Sequence, residues 1–207
     1  MAEIPMTLPC PPPPLQRKGN RVLKWLGLAY LRLSGWRVSG QFPADPKCVL
    51  IVAPHTSNWD FVLGVAFMFA VDLRVSFLGK HTIFKPPFKK FLTGIGGIPV
   101  DRRASHGIVG QCVEAFQRES ALLLALAPEG TRKGPSRWKT GFYQIALGAG
   151  VPIFPVAFDF EHLLIRLMPV FQPTGKVEED LKELKALFST IKGCRMRPPD
   201  SPEEPST

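Results

Sequence analysis

Apolar residues along this chain recur with two periods, and the two alternate. Cys48 to Ala53 (CVLIVA) is a continuous apolar run, the pattern of a strand buried on both faces. Leu73 to Leu78, Gly97 to Val100, Ala121 to Ala127 and Val151 to Phe158 repeat that pattern. Between these runs, Asp60 to Val71, Ser105 to Arg118 and Lys139 to Gly148 have helical length and periodicity. A weaker strand over Trp36 to Phe42 precedes the first run. Another over Leu164 to Phe171 follows the last, and Val177 to Ile191 reads as an amphipathic helix. Strands alternating with helices predict an α/β fold: a single-domain sandwich around a mostly parallel central sheet, with helices on both faces.

The ends read differently. Residues 1–19 are proline-rich and then basic, which predicts a flexible or extended leader. The ordered domain is expected over 20–192, and the polar tail 193–207, ending PPDSPEEPST, is expected to be disordered. From Arg21 to Leu33 (RVLKWLGLAYLRL) apolar residues fall at helical spacing, with Lys24 and Arg32 among Trp25, Leu26, Tyr30 and Leu31. That pattern suits a helix lying in a membrane interface, and equally a core-packed first helix.

Composition narrows the partners. The 207 residues are 45% hydrophobic and 21% charged, a globular balance, but the formal net charge is +9. Such an excess points to an anionic partner: nucleic acid, a phospholipid surface or a phosphorylated substrate. No basic segment followed by an apolar one marks a signal peptide, and the longest apolar run, Phe61 to Val71, is about half of what spans a bilayer. Membrane contact is therefore expected to be peripheral, on the cytoplasmic face. The four cysteines show no metal or disulfide spacing and read as reduced thiols.

Ligands of open α/β sheets gather at the carboxyl ends of the strands. The first strong strand runs into PHTSNWD, an H-x-x-x-x-D pair formed by His55 and Asp60. On one ideal helix the two side chains would diverge by about 140°. If the strand ends at His55 and a helix begins near Ser57 or Asn58, Asp60 in the first turn reaches the imidazole. An acid that orients a histidine makes it a competent general base. The plainer alternative has Asp60 capping the helix and His55 solvated. A second strand end supplies GIPVDRR, with Arg102 and Arg103, and a third supplies APEGTRK. Arg102 and Arg132, each after an apolar strand, suit an anion site, whereas Glu129 has a plain role as ion-pair partner of the neighbouring bases.

PHTSNWD, GIPVDRR, PEGTR and VPIFPV, in this order and at these separations, resemble the four signature blocks of the glycerolipid acyltransferase family, whose members acylate glycerol phosphate or 1-acylglycerol phosphate. The resemblance runs from about Trp36 to Phe158. It implies a transfer of a fatty acyl group to a hydroxyl of a lysophospholipid, most often 1-acylglycerol 3-phosphate. It also implies acyl-CoA or acyl-carrier protein as co-substrate, and no metal or redox cofactor. Carried over, His55 is the base and Asp60 its orienting acid. Ser57, Arg102, Glu129, Gly130, Thr131, Arg132 and Lys139 are the candidate substrate-binding residues, and Pro152 matches the block linked to the acyl-binding side. Pro54, Ala127 and Lys133 depart from common family residues, which leaves the acceptor head group open. The absence of a G-x-S-x-G elbow fits a mechanism without an acyl-enzyme.

One further segment, FLGKHTIFKPPFKKFLTG, alternates Phe77, Phe84, Phe88 and Phe91 with Lys80, Lys85, Lys89 and Lys90, which suits docking to an anionic membrane surface. Two rival readings are a non-catalytic lipid-binding protein and a basic nucleic-acid-binding module. Against the second, no nucleic-acid signature is present and the bases cluster beside candidate catalytic groups, so no nucleic-acid partner is expected.

Overall fold

The apolar runs become strands of one seven-stranded sheet. In the computed structural model, which describes residues 8–100, 107–130 and 138–194, the strands are β1 (Arg37–Ser39), β2 (Lys47–Ala53), β3 (Ser76–Lys80), β4 (Gly97–Val100), β5 (Leu122–Leu126), β6 (Ile153–Asp159) and β7 (Leu164–Leu167). The helices are α1 (Arg21–Leu33), α2 (Trp59–Ala70), α3 (Phe88–Gly94), α4 (Gly107–Arg118), α5 (Gly141–Ala149) and α6 (Val177–Leu187). The strand order is β1-β7-β6-β2-β5-β3-β4, and every pair is parallel except β6 with β7.

Because side chains alternate across a strand, each central strand feeds two cores. Cys48 and Leu50 of β2, Leu123 of β5 and Phe154, Val156 and Phe158 of β6 pack on one face against α1 and α2. Val49 and Ile51, Leu122 and Leu124, and Ile153 and Ala157 pack on the other against α4, α5 and α6. The α/β sandwich predicted from the periodicity is therefore the observed one. On the first face α1 and α2 touch through backbone: a Cβ on Gly27 would lie 2.5 Å from the Ala66 carbonyl oxygen and 2.6 Å from the Ala70 nitrogen. Of the two roles open to α1, this is the core-packed one for its Gly27–Leu31 stripe, while Val22, Trp25 and Leu26 remain exposed on the opposite side. No helix among the described residues is long and apolar enough to cross a membrane.

Of the two states open to the leader, residues 8–18 take the extended one and pack on the domain: Leu15 is buried in the first core, the Arg17 N–H donates to the Asp72 carbonyl at 2.7 Å, and the Arg74 N–H donates to the Leu15 carbonyl at 2.7 Å. This pairing also explains why β3 starts at Ser76 rather than at Leu73. The apolar Leu73–Val75 stretch is spent against the leader, with Gln16 and Leu73 forming an antiparallel bridge. Of the expected tail, residues 195–207 lie outside the described residues. The helix α6 stops at Leu187, short of the expected Ile191.

A buried polar cluster fastens α6 to α5. Asp180 accepts from the Tyr143 hydroxyl at 2.7 Å, the Thr174 N–H at 2.7 Å and the Thr174 hydroxyl at 2.8 Å. Burial works to raise the Asp180 carboxyl, but these donors and nearby Lys176 outweigh it and hold the group below its ordinary value. A carboxyl depressed in the folded state adds stability above its unfolded pKa, and that stability fades as pH falls through the folded value. Asp180→Ala is therefore expected to cost about 2–4 kcal/mol at neutral pH. The gap to wild type should narrow below about pH 4, which urea unfolding across pH will measure. A gap independent of pH would mean that the carboxylate charge is not what the cluster uses.

Candidate active site

Strand β2 ends at Ala53, and the chain turns through Pro54, His55, Thr56 and Ser57 into α2, which starts at Trp59. The turn is closed by a single carboxylate oxygen. Asp60 Oδ2 accepts from the Thr56 N–H at 2.8 Å and the Ser57 N–H at 2.9 Å, and lies 3.1 Å from His55 Nδ1. Asp60 thus holds two amides of the turn that leads into α2 and orients the imidazole with the same atom. Its other oxygen, Oδ1, is buried with no hydrogen-bond partner among the described residues. Ser57 Oγ accepts from the Trp59 N–H at 3.2 Å, and the residue lines the cleft.

From the neighbouring strand β5 the chain delivers Glu129, itself buried, whose Oε2 accepts the His55 backbone N–H at 3.0 Å. The acid expected to balance neighbouring bases is thereby tied to the histidine's own main chain. Gly130 follows with φ of 63°, a left-handed conformation suited to glycine, and its N–H donates to the Ala127 carbonyl at 3.1 Å. The Lys139 N–H donates to the Pro128 carbonyl at 2.8 Å, and its side chain lies over Gly130. A Cβ on Gly130 would stand 3.0 Å from Lys139 Cδ and 3.2 Å from Nζ, so the glycine is what lets the ammonium approach the site.

These groups open on a cleft of about 1050 Å³. His55, Ser57, Gly130 and Lys139 supply polar atoms to it. Its walls are apolar: Gly64, Met68, Val75 and Phe158 from the α2 side, Ile108 and Phe142 from the other. Phe61, Gly64, Val65 and Met68 occupy i, i+3, i+4 and i+7 of α2, one helical stripe that sequence reading had not separated from core. The chemistry this allows is proton removal at the mouth of an apolar slot. With Nδ1–H donated to the carboxylate, the imidazole lone pair is on Nε2.

No three His, Cys, Asp or Glu side chains converge as a metal site among the described residues. Burial pushes the Cys48 thiol up to about 12, with Asp45 adding to it, and the Cys112 thiol up to about 11. Neither borders the cleft, and as protonated thiols they are poor nucleophiles.

A family model described as Acyltransferase matches residues 36–159, from the residue before β1 to the end of β6. The chain belongs to the acyltransferase family. Among its relatives, the 1-acyl-sn-glycerol-3-phosphate acyltransferase of Haemophilus influenzae is 31% identical over 156 residues, covering 70% of this chain and 63% of that protein. The Escherichia coli protein of the same name is 30% identical over 134 residues, 60% of this chain and 53% of that one. The chain thus spans less than two thirds of the length of these relatives. Its fold is similar to the crystal structure of the 1-acyl-sn-glycerophosphate (LPA) acyltransferase PlsC from Thermotoga maritima. That match has a TM-score of 0.58 and 19% identity, over 81% of this chain and 75% of that one.

Within this acyltransferase-family frame one expected site residue stands apart from His55. Pro152 does not border the cleft. It precedes β6, and its carbonyl accepts the Val49 N–H at 3.0 Å near the start of β2. Because β2 and β6 run parallel, that places Pro152 at the amino end of β6 and His55 beyond the carboxyl end of β2, with about five residues or ~16 Å of strand between the Pro152 level and Ala53. Arg102, Thr131 and Arg132 lie outside the described residues, as do Arg103 and Lys133.

Proposed function

We propose that this protein transfers a fatty acyl group from acyl-CoA or acyl-carrier protein to a hydroxyl of a lysophospholipid, with 1-acylglycerol 3-phosphate the favoured acceptor. The observation that carries this reading is the His55–Asp60 pair, at 3.1 Å, bordering a largely apolar cleft of about 1050 Å³. His55 Nε2 takes the proton of the acceptor hydroxyl as that oxygen attacks the thioester carbonyl. The tetrahedral oxyanion collapses, the carbon–sulfur bond breaks, and the imidazolium returns its proton to the leaving thiolate. Asp60 stabilises the imidazolium between those events. No electrons are exchanged, and beyond the acceptor the step needs only the thioester co-substrate. Lys139, lying over Gly130, is suited to the acceptor phosphate, with Arg102, Thr131 and Arg132 as its proposed companions.

The test is incubation of purified protein with labelled acyl-CoA or acyl-carrier protein and a panel of lysolipids, with products read by mass spectrometry. A new acylated product supports the reading, and the responsive acceptor identifies the head group. Binding of lysolipid without transfer would favour the non-catalytic lipid-binding alternative.

We place the protein peripherally on the cytoplasmic face of an anionic membrane. Helix α3, hidden in the Phe/Lys stretch, exposes Phe88 and Phe91, with Ile83 beside them, while Phe84 is buried as ordinary core. A groove of about 520 Å³ runs among Ile83, Lys85, Phe88 and Phe91 and shares Phe61 with the catalytic cleft. Lysines beside exposed aromatics match an anionic interface, at about 1 kcal/mol per cation near the surface. Changing Lys85, Lys89 and Lys90 together to glutamine should weaken co-sedimentation with phosphatidylserine vesicles about 100-fold. Equal binding of wild type to neutral and anionic vesicles would refute this electrostatic part.

A further inference from the structure

We infer that Gly193, on the segment after α6, is a positioning residue for His55: its lack of a side chain lets this segment brace the turn on which the imidazole is oriented. The inference rests on the acyl-transfer reading for its functional consequence, but its geometry stands apart from it. A Cβ built on Gly193 would lie 2.8 Å from both Cγ2 and Oγ1 of Thr56 and 3.1 Å from Pro54 Cγ. The first two separations are closer than Cβ atoms are found in proteins, so something must move.

Neither the Gly193 segment nor the Thr56 side chain is free to give way. On one side the segment is pinned: the Phe160 N–H, just beyond β6, donates to the Lys192 carbonyl at 3.0 Å, and Lys192 Nζ pairs with Glu161 Oε1 at 2.6 Å. The Ile191 N–H donates to the Phe188 carbonyl at 3.0 Å, fixing the exit from α6. On the other side Thr56 is buried, at 3% exposure, and its branched Cβ has few alternative rotamers. The displacement therefore falls on the Pro54–Ser57 turn. There the Thr56 N–H, the Ser57 N–H and His55 Nδ1 all converge on the one oxygen of Asp60, and a shift of the first disturbs the bond that selects the imidazole tautomer.

The experiment uses full-length protein labelled with ¹⁵N-histidine, in which the His55→Ala variant assigns the His55 signal among four histidines. Nitrogen shifts then report how much of the Nδ1–H tautomer His55 holds. Gly193→Ala is expected to lower that fraction and to reduce kcat about tenfold, with KM nearly unchanged, as misorientation without lost binding requires. Thr56→Ala/Gly193→Ala removes both of the closest clashing atoms and should restore the tautomer and most of kcat. Unchanged His55 signals in folded Gly193→Ala, or a double variant no better than the single, would overturn the inference. Should Gly193→Ala not fold, Thr56→Ala and the double variant carry the same comparison. Matching His55 spectra support the Thr56 contact, and divergence overturns it. If wild type transfers no acyl group, the reaction reading fails while the histidine spectra still decide the positioning role.

Discussion

Replacing His55 with alanine will abolish acyl transfer and leave the fold standing. The imidazole is the base in the proposed step, and loss of a positioned general base costs about 10³–10⁴-fold in rate. Stability should barely change, for reasons visible at the same atoms. The His55 side chain is 24% exposed and contributes little to either core. Its backbone N–H still reaches Glu129, and Asp60 Oδ2 keeps the Thr56 and Ser57 amides when the imidazole is gone. The melting temperature of His55→Ala should thus stay within a few degrees of wild type, ~1 kcal/mol or less. Steady-state kinetics with the responsive acceptor and a thermal melt on the same preparation check both halves. Residual activity within tenfold of wild type would mean that another group removes the proton.

The strands were legible because parallel strands buried on both faces read as unbroken apolar runs, and β2, β5 and β6 are of that kind. The limits of α1 were legible as well, since Asn20 caps it through the Val22 and Leu23 amides and the apolar stripe stops at Leu33. What escaped was set by partners distant in sequence. Leu73–Val75 has strand composition, yet its pairing with Leu15–Arg17 depends on where the leader lies. The seven-residue α3 is too short to carry a periodic signal among its lysines. At the site, the His55–Asp60 pair followed from a strand running into a helix. The Glu129 tie to the His55 main chain did not, because it needs the register of β2 beside β5. Gly193 carried no local signal at all. That Pro152 stands at the end of β6 away from His55 was not legible either, because it depends on β6 running parallel to β2.

The pair Asp60→Asn and Asp60→Ala should separate the charge of this residue from its bonding. In asparagine the carbonyl oxygen must take the Oδ2 position, because the Thr56 and Ser57 N–H groups point there and would repel an amide nitrogen. That oxygen still accepts from His55 Nδ1, so the productive tautomer is kept and only the charge that stabilises the imidazolium is lost. An acid replaced by an amide that does flip the tautomer costs about 10⁴-fold. With the flip blocked, the loss in kcat for Asp60→Asn should be smaller, about 10²–10³-fold. The amide nitrogen then falls where Oδ1 now sits, buried and unpartnered among the described residues, and should cost about 1–3 kcal/mol of stability. Asp60→Ala leaves the amides of Thr56 and Ser57, both buried, without their acceptor. It should therefore lose more stability than the asparagine variant, about 2–5 kcal/mol, and fall to the activity of His55→Ala. Urea denaturation ranks the stabilities and kcat ranks the chemistry. Full activity in Asp60→Asn would show that the carboxylate only builds the turn, and equal stability of the two variants would show that its amide bonds do not.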